Sequence, residues 1–183
     1  MEIRLVERAR AGDHAAFREL IDRQGHRCYA IAYRIIREHE PARDAVQQAF
    51  VQAWRDLPQL RDADRFEPWL YRLLVRACYQ ESGRRRAWAS RMAVTSIEPR
   101  ADGDFTTDVA ERDAMDRAFL RLTQEHRAVV VLHHYVGLPL AAIADVVGVP
   151  IGTVKSRLHH ATSALRSALD ADGRTAILEE TPA

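Results

Sequence analysis

The side chains best placed to do chemistry in this sequence are cations that suit the binding of phosphate. An arginine run covers residues 84–86, and Lys155 and Arg157 flank Ser156 further along the chain. Lys and Arg bind phosphate oxygens or guanine edges, and a Ser hydroxyl can contact either. The carboxylates form no recognisable catalytic set with a nucleophile, a metal triad or a phosphate loop. We therefore predict that the chain binds a polyanion and is not an enzyme.

The histidines and cysteines do not form a metal-binding pattern. Adjacent histidines occur at residues 133–134 and 159–160, but neighbouring residues of a helix diverge by about 100°, so neither pair can hold one ion together. Cys28 and Cys78 have no Cys or His at metal-ligand spacing and cannot build a disulfide framework. We predict two core cysteines, no metal and no cofactor.

The second group of cations lies in a stretch that predicts a helix-turn-helix. Two helical patterns between Leu138 and Leu158 are separated by Gly148-Val149, and Gly can take the left-handed conformation that ends a helix. The second helix has an apolar inner face and a small, polar outer face of the kind that can enter a major groove. A helical hairpin with a solvated face would give the same short pattern. The residues predicted on the outer face and its flanks are Gly152, Thr153, Lys155, Ser156, Arg157, His159 and His160.

The rest of the chain favours helices that could position these cations. Of 183 residues, 47% are hydrophobic and 29% charged, and Gly and Pro are few, at 8 and 7. Helical spacing of apolar residues predicts a helix from Pro41 to Leu57, a loop over residues 59–65, and a helix from Phe66 to about Gly83. Polar residues 94–108 read as a linker between two domains.

The charge distribution and the N-terminus bear on partners and compartment. The net charge of +1 divides unevenly, because residues 1–96 carry 18 Arg against 13 acidic residues, whereas residues 97–136 carry 5 Arg against 8. Such asymmetry indicates a polyanion touched at two places, although mixed charge on solvated helices gives the same distribution. The N-terminus has charges where a signal peptide needs an apolar core, and no window approaches a membrane span. We predict a cytoplasmic protein without membrane insertion.

Two separated segments carry a family resemblance. The first runs from Asp44 to Pro58 and continues from Phe66 to Leu73; the second runs from Leu122 to His159. In this order and spacing the chain resembles the extracytoplasmic-function (ECF) group of bacterial RNA polymerase sigma factors. The resemblance implies an all-α fold of two small helical domains on a flexible linker: a region 2-like domain at 1–93, the linker at 94–108, a region 4-like helix-turn-helix domain at 109–169, and an acidic tail at 170–183.

The resemblance also implies what each domain binds. The factor would bind core RNA polymerase at the β′ clamp helices and the β flap, direct it to promoter DNA, and help to melt the minus-ten element. The family is often held inactive by an anti-sigma factor, which is a further implied partner. The implied polymerase-docking residues are Asp44, Gln47 and Gln48. The implied minus-ten contacts are Arg61, Arg65, Arg72, Arg76, Arg84, Arg85 and Arg86, and the helix-turn-helix residues given above would read the minus-thirty-five element.

Other interpretations of the same residues remain. A stand-alone helix-turn-helix repressor or activator explains the second helical pair equally well, but it leaves the polar Asp44 helix and the helix from Phe66 without a role. Trp69 is either a core residue or a stacking platform for a base, and its apolar neighbours Leu70 and Leu73 favour the core. At positions where the family commonly has Asn and Asp, this chain has Arg76 and Gln80, so no promoter sequence is carried over.

Overall fold

In the computed structural model, the structure describes the backbone of residues 2–91 and 115–179, and the side chains of residues 3–87 and 115–170. The predicted linker, residues 94–108, lies outside the described residues. The described part of the chain is helical, with short 3₁₀ turns and one π-helical turn, and contains no strand. The predicted all-α class is confirmed.

Four helices form the first region: α1 (Glu2–Arg10), α2 (His14–Ile36), α3 (His39–Asp56) and α4 (Phe66–Arg91). Asp13 caps α2, because its carboxylate accepts hydrogen bonds from the backbone N–H groups of Ala15 and Ala16 at 2.9 and 3.0 Å. The same carboxylate pairs with Arg8 at 2.6 Å. Hydrogen bonds from Ala16 and Arg8 lower the pKa of Asp13. Two 3₁₀ turns, Leu57–Gln59 and Ala63–Arg65, lead into α4.

The prediction that the helix from Phe66 ends near Gly83 is wrong, because α4 continues to Arg91. Gly83 is not among the glycines with positive φ, so nothing in its backbone requires a turn there. A glycine inside a helix costs only about 1 kcal/mol relative to alanine. The ion pair between Glu81 and Arg84, three residues apart, bridges the glycine and supports continuation.

The second region contains α5 (residues 115–120), α6 (Gln124–Val130), α7 (Leu140–Val147) and α8 (Ile151–Glu179). Thr123 caps α6 by accepting from the backbone N–H of His126 at 3.3 Å. A π-helical turn, Val131–Tyr135, follows α6 and ends before Gly137, which has φ +85°. This region is thus a compact set of short helices followed by one long helix.

The cores of the two regions are continuous. Buried residues of α1 to α4 form one hydrophobic cluster with Val129, Leu132, Ile143 and Val154 of the second region. Within the part of the chain that the structure describes, α4 lies against α7, and α2 lies against α6 and the π-helical turn. No helix in the described part of the chain is long and apolar enough to cross a membrane.

Both cysteines lie in the core, as predicted. Cys28 and Cys78 are fully buried and free. Burial raises the pKa of each thiol to about 12, so both remain protonated and unreactive near neutral pH.

Candidate nucleic-acid and protein interfaces

The predicted polymerase-docking residues line a groove between α3 and α4. Asp44 and Gln47 are exposed and Gln48 is half-buried, while Phe50 on the same helix is buried. The groove has a volume of about 450 Å³. Ala49 and Val51 of α3 and Leu73 and Ala77 of α4 line it together with polar side chains, whose exposed members form its rim. Such a surface can accept the side of a partner helix by hydrogen bonding at the rim.

Two residues of α4 that family position associates with DNA also line this groove. Arg76 and Gln80 stand across from Asp44, Gln47 and Gln48. Arg72 lies four residues before Arg76, and both arginines are exposed. The structure therefore places Arg76 where either a protein partner or a nucleic-acid strand following α4 could reach it.

The arginine run at residues 84–86 is tied to acidic and amide side chains. Arg84 pairs with Glu81, and its guanidinium also donates to the side-chain oxygen of Gln48 at 3.1 Å once that amide is oriented to satisfy both groups. Arg85 pairs with Glu38 at the start of α3. These contacts link the predicted docking helix to the predicted minus-ten arginines. Phosphate would have to compete with existing partners for Arg84 and Arg85.

The loop before α4 holds its arginines outward. The carboxylate of Asp62 accepts from the backbone N–H of Asp64 at 3.0 Å and lies 3.5 Å from Arg65 Nε. From α1, Arg10 donates to the backbone carbonyl of Leu60 at 3.1 Å and fixes the loop at its other end. Arg61 and Arg65 are exposed. Sequence reasoning missed Arg10, since nothing distinguishes it from the other arginines of α1 or indicates a contact 50 residues away.

Trp54 and Trp69 pack against the hydrophobic core. Trp69 is half-buried against the core, with its ring 6.0 Å from that of Phe66. On α3, the Trp54 ring packs at a tilt against His14 and Phe17, with ring centres 4.5 and 4.9 Å away. Both positions agree with a packing role.

The helix-turn-helix has the predicted turn. Gly148 has φ +72° and ψ +36°, and its N–H donates to the carbonyl of Ala144 at 2.9 Å, which ends α7. The carbonyl of Pro150 then accepts from Thr153 and Val154 and starts α8. Of the residues expected on the inner face, Ile143, Val154 and Ala161 are fully buried, whereas Ala144, Val147, Leu158 and Leu165 are half-buried.

The outer face of α8 is open. Gly152, Lys155, Ser156, His159 and His160 are exposed, and Thr153 is half-buried. A second groove, of about 400 Å³, runs along this face, and Lys155, His159 and Arg166 line it. Arg166 was not among the predicted contacts. Its spacing could have indicated it, because Arg166 follows Lys155 by 11 residues and His159 by 7, which places the three residues on one helix face.

Arg157 differs from the other cations of α8 because it is half-buried and lies near Glu125 of α6. Burial alone would raise the pKa of Glu125. Hydrogen bonds from its own backbone N–H and from Thr123, together with the charges of Arg157 and Arg86, outweigh that effect and lower it. The carboxylate of Glu125 therefore stays ionised beside one arginine from each set of predicted DNA contacts.

The histidine pairs do not gather metal ligands in the described structure. The rings of His133 and His134 meet edge to face at 4.7 Å, and those of His159 and His160 at 5.7 Å. Among the described residues, no group of three or more His, Cys, Asp or Glu could hold an ion.

Two protein families match separate parts of the chain. The family of sigma-70 region 2 matches residues 20–90, and that of sigma-70 region 4 matches residues 112–165. The ECF RNA polymerase sigma factor SigM of Mycobacterium tuberculosis is 35% identical over 155 residues, covering 85% of this chain and 78% of SigM. The ECF RNA polymerase sigma factor SigW of Bacillus subtilis is 25% identical over 179 residues, covering 90% of this chain and 94% of SigW.

Solved structures resemble the described fold as well. CnrH, in complex with the cytosolic domain of CnrY, is 26% identical with a TM-score of 0.66, and the match covers 93% of this chain and 98% of CnrH. The sigma factor RpoE of Bartonella quintana, in complex with the anti-sigma factor NepR, has a TM-score of 0.71 at 23% identity, over 85% of this chain and 98% of RpoE. The second likeness bears on the fold alone.

Proposed function

The chain belongs to the extracytoplasmic-function group of bacterial RNA polymerase sigma factors, which direct RNA polymerase to promoters, and from that membership we propose how its surfaces divide the work. Residues 1–93 dock on the β′ clamp helices of core polymerase and bind the minus-ten element. Residues 109–169 lie at the β flap and bind the minus-thirty-five element. The chain selects the start site, and the polymerase carries out the chemistry.

The groove between α3 and α4 is the observation that supports docking most directly. Asp44 and Gln47 are exposed at its rim, and Gln48 is held by Arg84. Gln48 stands where the family often has Glu, so hydrogen bonding replaces a charge-assisted contact at this position. An open groove lined by both polar and apolar side chains fits a helical partner better than it fits a small molecule.

We infer that the loop at residues 59–65 begins melting at the minus-ten element. Flipping a base out of the stack costs a few kcal/mol, which a protein pocket and cations on the released strand can offset. Arg61 and Arg65 project from the loop, and Arg72 follows on α4, so a strand leaving the duplex here would meet three exposed cations. Arg76, Arg84, Arg85 and Arg86 extend this surface along the helix.

In the second region, α8 enters the major groove of duplex DNA. Its outer residues Gly152 and Ser156 are small enough for close approach, and Lys155 and His159 flank them. Lys155 and Arg166 bind phosphates, while Ser156 and Thr153 reach base edges or phosphates. His160 and Arg157 lie to the other side of the same helix.

We also propose regulation by an anti-sigma factor. Two structures that resemble this fold are complexes, one of RpoE with the anti-sigma factor NepR and one of CnrH with the cytosolic domain of CnrY. A partner that covers the groove between α3 and α4 would block the binding of core polymerase. One that covers the outer face of α8 would block the binding of promoter DNA. Both the polymerase and the promoter lie in the cytoplasm, where we place this chain.

Transcription from a randomised promoter library tests the proposal. Purified core polymerase should initiate from a shared pair of elements only when the chain is added. Core polymerase that is retained by the chain in a pull-down, together with selective initiation, supports a sigma factor. Specific DNA binding by the chain alone, with no association with core polymerase, would instead identify a stand-alone helix-turn-helix regulator.

A further inference from the structure

We propose that Arg10 of α1 is a positioning residue for promoter melting, because its guanidinium fixes the backbone of the loop at residues 59–65. The inference rests on the proposed function, which assigns that loop to the start of melting at the minus-ten element. Arg10 lies outside every predicted contact set. It acts on the DNA through the loop and does not bind the strand itself.

Arg10 holds the middle of the loop by two consecutive carbonyl groups. Its Nη1 donates to the backbone carbonyl of Leu60 at 3.1 Å and to that of Arg61 at 3.4 Å. Among the described residues, no backbone N–H donates to either carbonyl. The guanidinium is charged, so these contacts are stronger than hydrogen bonds between neutral groups. The peptide planes on both sides of Arg61 therefore depend on one side chain.

These contacts fall on the part of the loop that lies between its two 3₁₀ turns. Leu60 and Asp62 have extended backbone there, with φ of −69° and −122°. Each end of this short segment has its own anchor, because the Leu60 side chain is buried and the Asp62 carboxylate accepts from the N–H of Asp64. Arg61 lies between the anchors and is exposed. By holding its backbone, Arg10 sets the direction in which the Arg61 side chain leaves the loop.

The helix that carries Arg10 is itself firmly held. Arg8 pairs with Asp13, the cap of α2, at 2.6 Å, and this pair fixes the corner between α1 and α2. Along its length, α1 also lies against both 3₁₀ turns of the loop region. Arg10 is half-buried, whereas Arg4 of the same helix is exposed. The residues of α1 that are buried in the core are Leu5, Val6 and Ala9.

A loop that is ordered in advance favours melting. Flipping a base out of the stack is unfavourable, and the protein offsets this cost by binding the released base and strand. A loose loop would have to become ordered in the same step, and that ordering would reduce the net gain from binding. Arg10 moves this ordering from DNA binding to folding. Its removal should therefore slow melting more than it weakens the binding of duplex DNA or of core polymerase.

Hydrogen exchange of the free chain tests whether Arg10 holds the loop. The N–H groups of Leu60, Asp64 and Arg65 are hydrogen-bonded within the loop region. In Arg10→Ala their exchange should become about ten-fold faster, because the loop opens more often, while the amides of α3 and α8 should exchange as in the wild type. Arg4→Ala removes an exposed arginine from the same helix and should leave the loop unchanged.

Transcription by the holoenzyme tests the effect on melting. Two forms of one promoter, selected from the randomised library, are compared: a full duplex, and a form in which mismatches hold the minus-ten element open. On the duplex, Arg10→Ala should form open complexes about ten-fold more slowly, as measured by the permanganate reactivity of unpaired thymines. On the pre-melted form it should initiate nearly as well as the wild type, since the loop need not capture a base from the stack. Binding to core polymerase should not change.

Arg10→Lys distinguishes positioning from direct contact with DNA, and it carries both tests should Arg10→Ala fail to fold. An ammonium keeps the charge but lacks the planar fork of donors, so this variant should fall between Arg10→Ala and the wild type. A phosphate contact would give a different result. Arg10→Lys would then match the wild type, and Arg10→Ala would lower the slope of log K against log salt by about 0.9. That result would overturn the positioning role.

The remaining outcomes separate this inference from the function on which it rests. Unchanged loop exchange in a folded Arg10→Ala variant would overturn the inference, and so would an equal loss of initiation on the duplex and the pre-melted promoter. Either result would leave the sigma-factor assignment standing. Failure of the wild-type chain to associate with core polymerase would overturn the assignment and the melting role, while faster loop exchange in Arg10→Ala would still establish the contact as a structural one.

Discussion

The two regions of this protein hold their cations in different ways. In the first region, Arg84 and Arg85 form ion pairs with Glu81 and Glu38, and Arg65 lies near Asp62. In the second, Lys155 and Arg166 line an open groove, and neither forms a salt bridge among the described residues. Arg65, Arg84 and Arg85 of the first surface are thus partly neutralised by acidic residues of the chain itself, whereas Lys155 and Arg166 on α8 are open to DNA.

This difference distinguishes cations that fix the orientation of a bound partner from cations that mainly attract it. An arginine that already has a carboxylate must exchange it for a phosphate, so the net gain on binding is small but the geometry is fixed beforehand. A solvated lysine gains the full free energy of counterion release when it binds a phosphate, but its geometry is not fixed beforehand. The first region is therefore suited to binding a defined partner surface, and the second to salt-dependent attraction to duplex DNA.

Charge reversal in the groove between α3 and α4 should have the largest effect, and the measured quantity is binding to core polymerase. Asp44→Arg with Gln48→Arg should weaken association with core polymerase by about a hundred-fold, because like charges at an interface cost several kcal/mol and the rim loses its acceptors. Surface plasmon resonance with immobilised core polymerase measures the change.

The matched control for that variant is Asp22→Arg with Gln59→Arg. It makes the same substitutions at exposed positions away from the groove and should bind core polymerase like the wild type. Equal binding by a folded Asp44→Arg, Gln48→Arg variant would remove the docking assignment.

Salt dependence should distinguish the two cation sets. Lys155→Ala with Arg166→Ala should reduce the slope of log K against log salt for holoenzyme binding to promoter DNA by about 1.8, because each lost duplex phosphate contact removes about 0.9. Arg84→Ala with Arg85→Ala should reduce it by clearly less, since these guanidiniums already have carboxylate partners. Filter binding across a salt series gives both slopes.

Equal slope changes in the two variants would contradict the comparison, because they would mean that the ion pairs of the first region open fully on DNA.

Arg157→Ala should have an intermediate effect on the slope of log K against log salt. Arg157 is half-buried near Glu125, so its removal should change the slope less than removal of Lys155. Lys155 and Arg157 together should matter most at promoters that depend on the minus-thirty-five element.

The elements of the fold could be predicted from local chemistry. Asp13 as a cap, Gly148 as a left-handed helix end, and the buried face of Ile143, Val154 and Ala161 each follow from residue type and spacing within one or two turns. The end of α4 could not be predicted in this way. Gly83 signals a break, but the Glu81–Arg84 pair and the packing of α4 on its neighbours override a penalty of about 1 kcal/mol.

The residues of the candidate surfaces could be predicted more readily than their surroundings. The exposure of Asp44, Gln47 and Lys155 follows from helical periodicity. The partners of Arg84 and Arg85 could not be foreseen in full, because Glu38 lies 47 residues from Arg85 in sequence. The contacts of Gln124 with Cys78 and of Asp116 with Arg37 depend on how the two regions pack together, which no local pattern encodes.

Two glycine substitutions test the backbone of each region by the same chemical change. Gly148→Ala should lower the free energy of unfolding by about 1 kcal/mol, because the φ of +72° strains an alanine. Gly83→Ala should raise it by about 0.5–1 kcal/mol, since position 83 lies within α4. Neither added Cβ meets an atom within 4 Å, so packing does not enter. Urea denaturation followed by circular dichroism measures both, and the same sign for the two variants would contradict these backbone assignments.

The smallest expected effect is a pH dependence of stability in the second region. Burial, the nearby His160 and the charge of Arg157 lower the pKa of His126 from its ordinary value of 6.5, and its place in the first turn of α6 also disfavours a positive charge. Because folding lowers this pKa, the unfolded chain binds more protons around pH 6.5, and the free energy of unfolding should fall as the pH falls through that range. The loss should level off below the pKa of the folded state. Urea denaturation at pH 7.5 and pH 5.5 should therefore show a smaller decrease for His126→Gln than for the wild type, with His26→Gln, at an exposed position of α2, as the matched control. An equal decrease in wild type and His126→Gln would place the pH sensitivity elsewhere in the molecule.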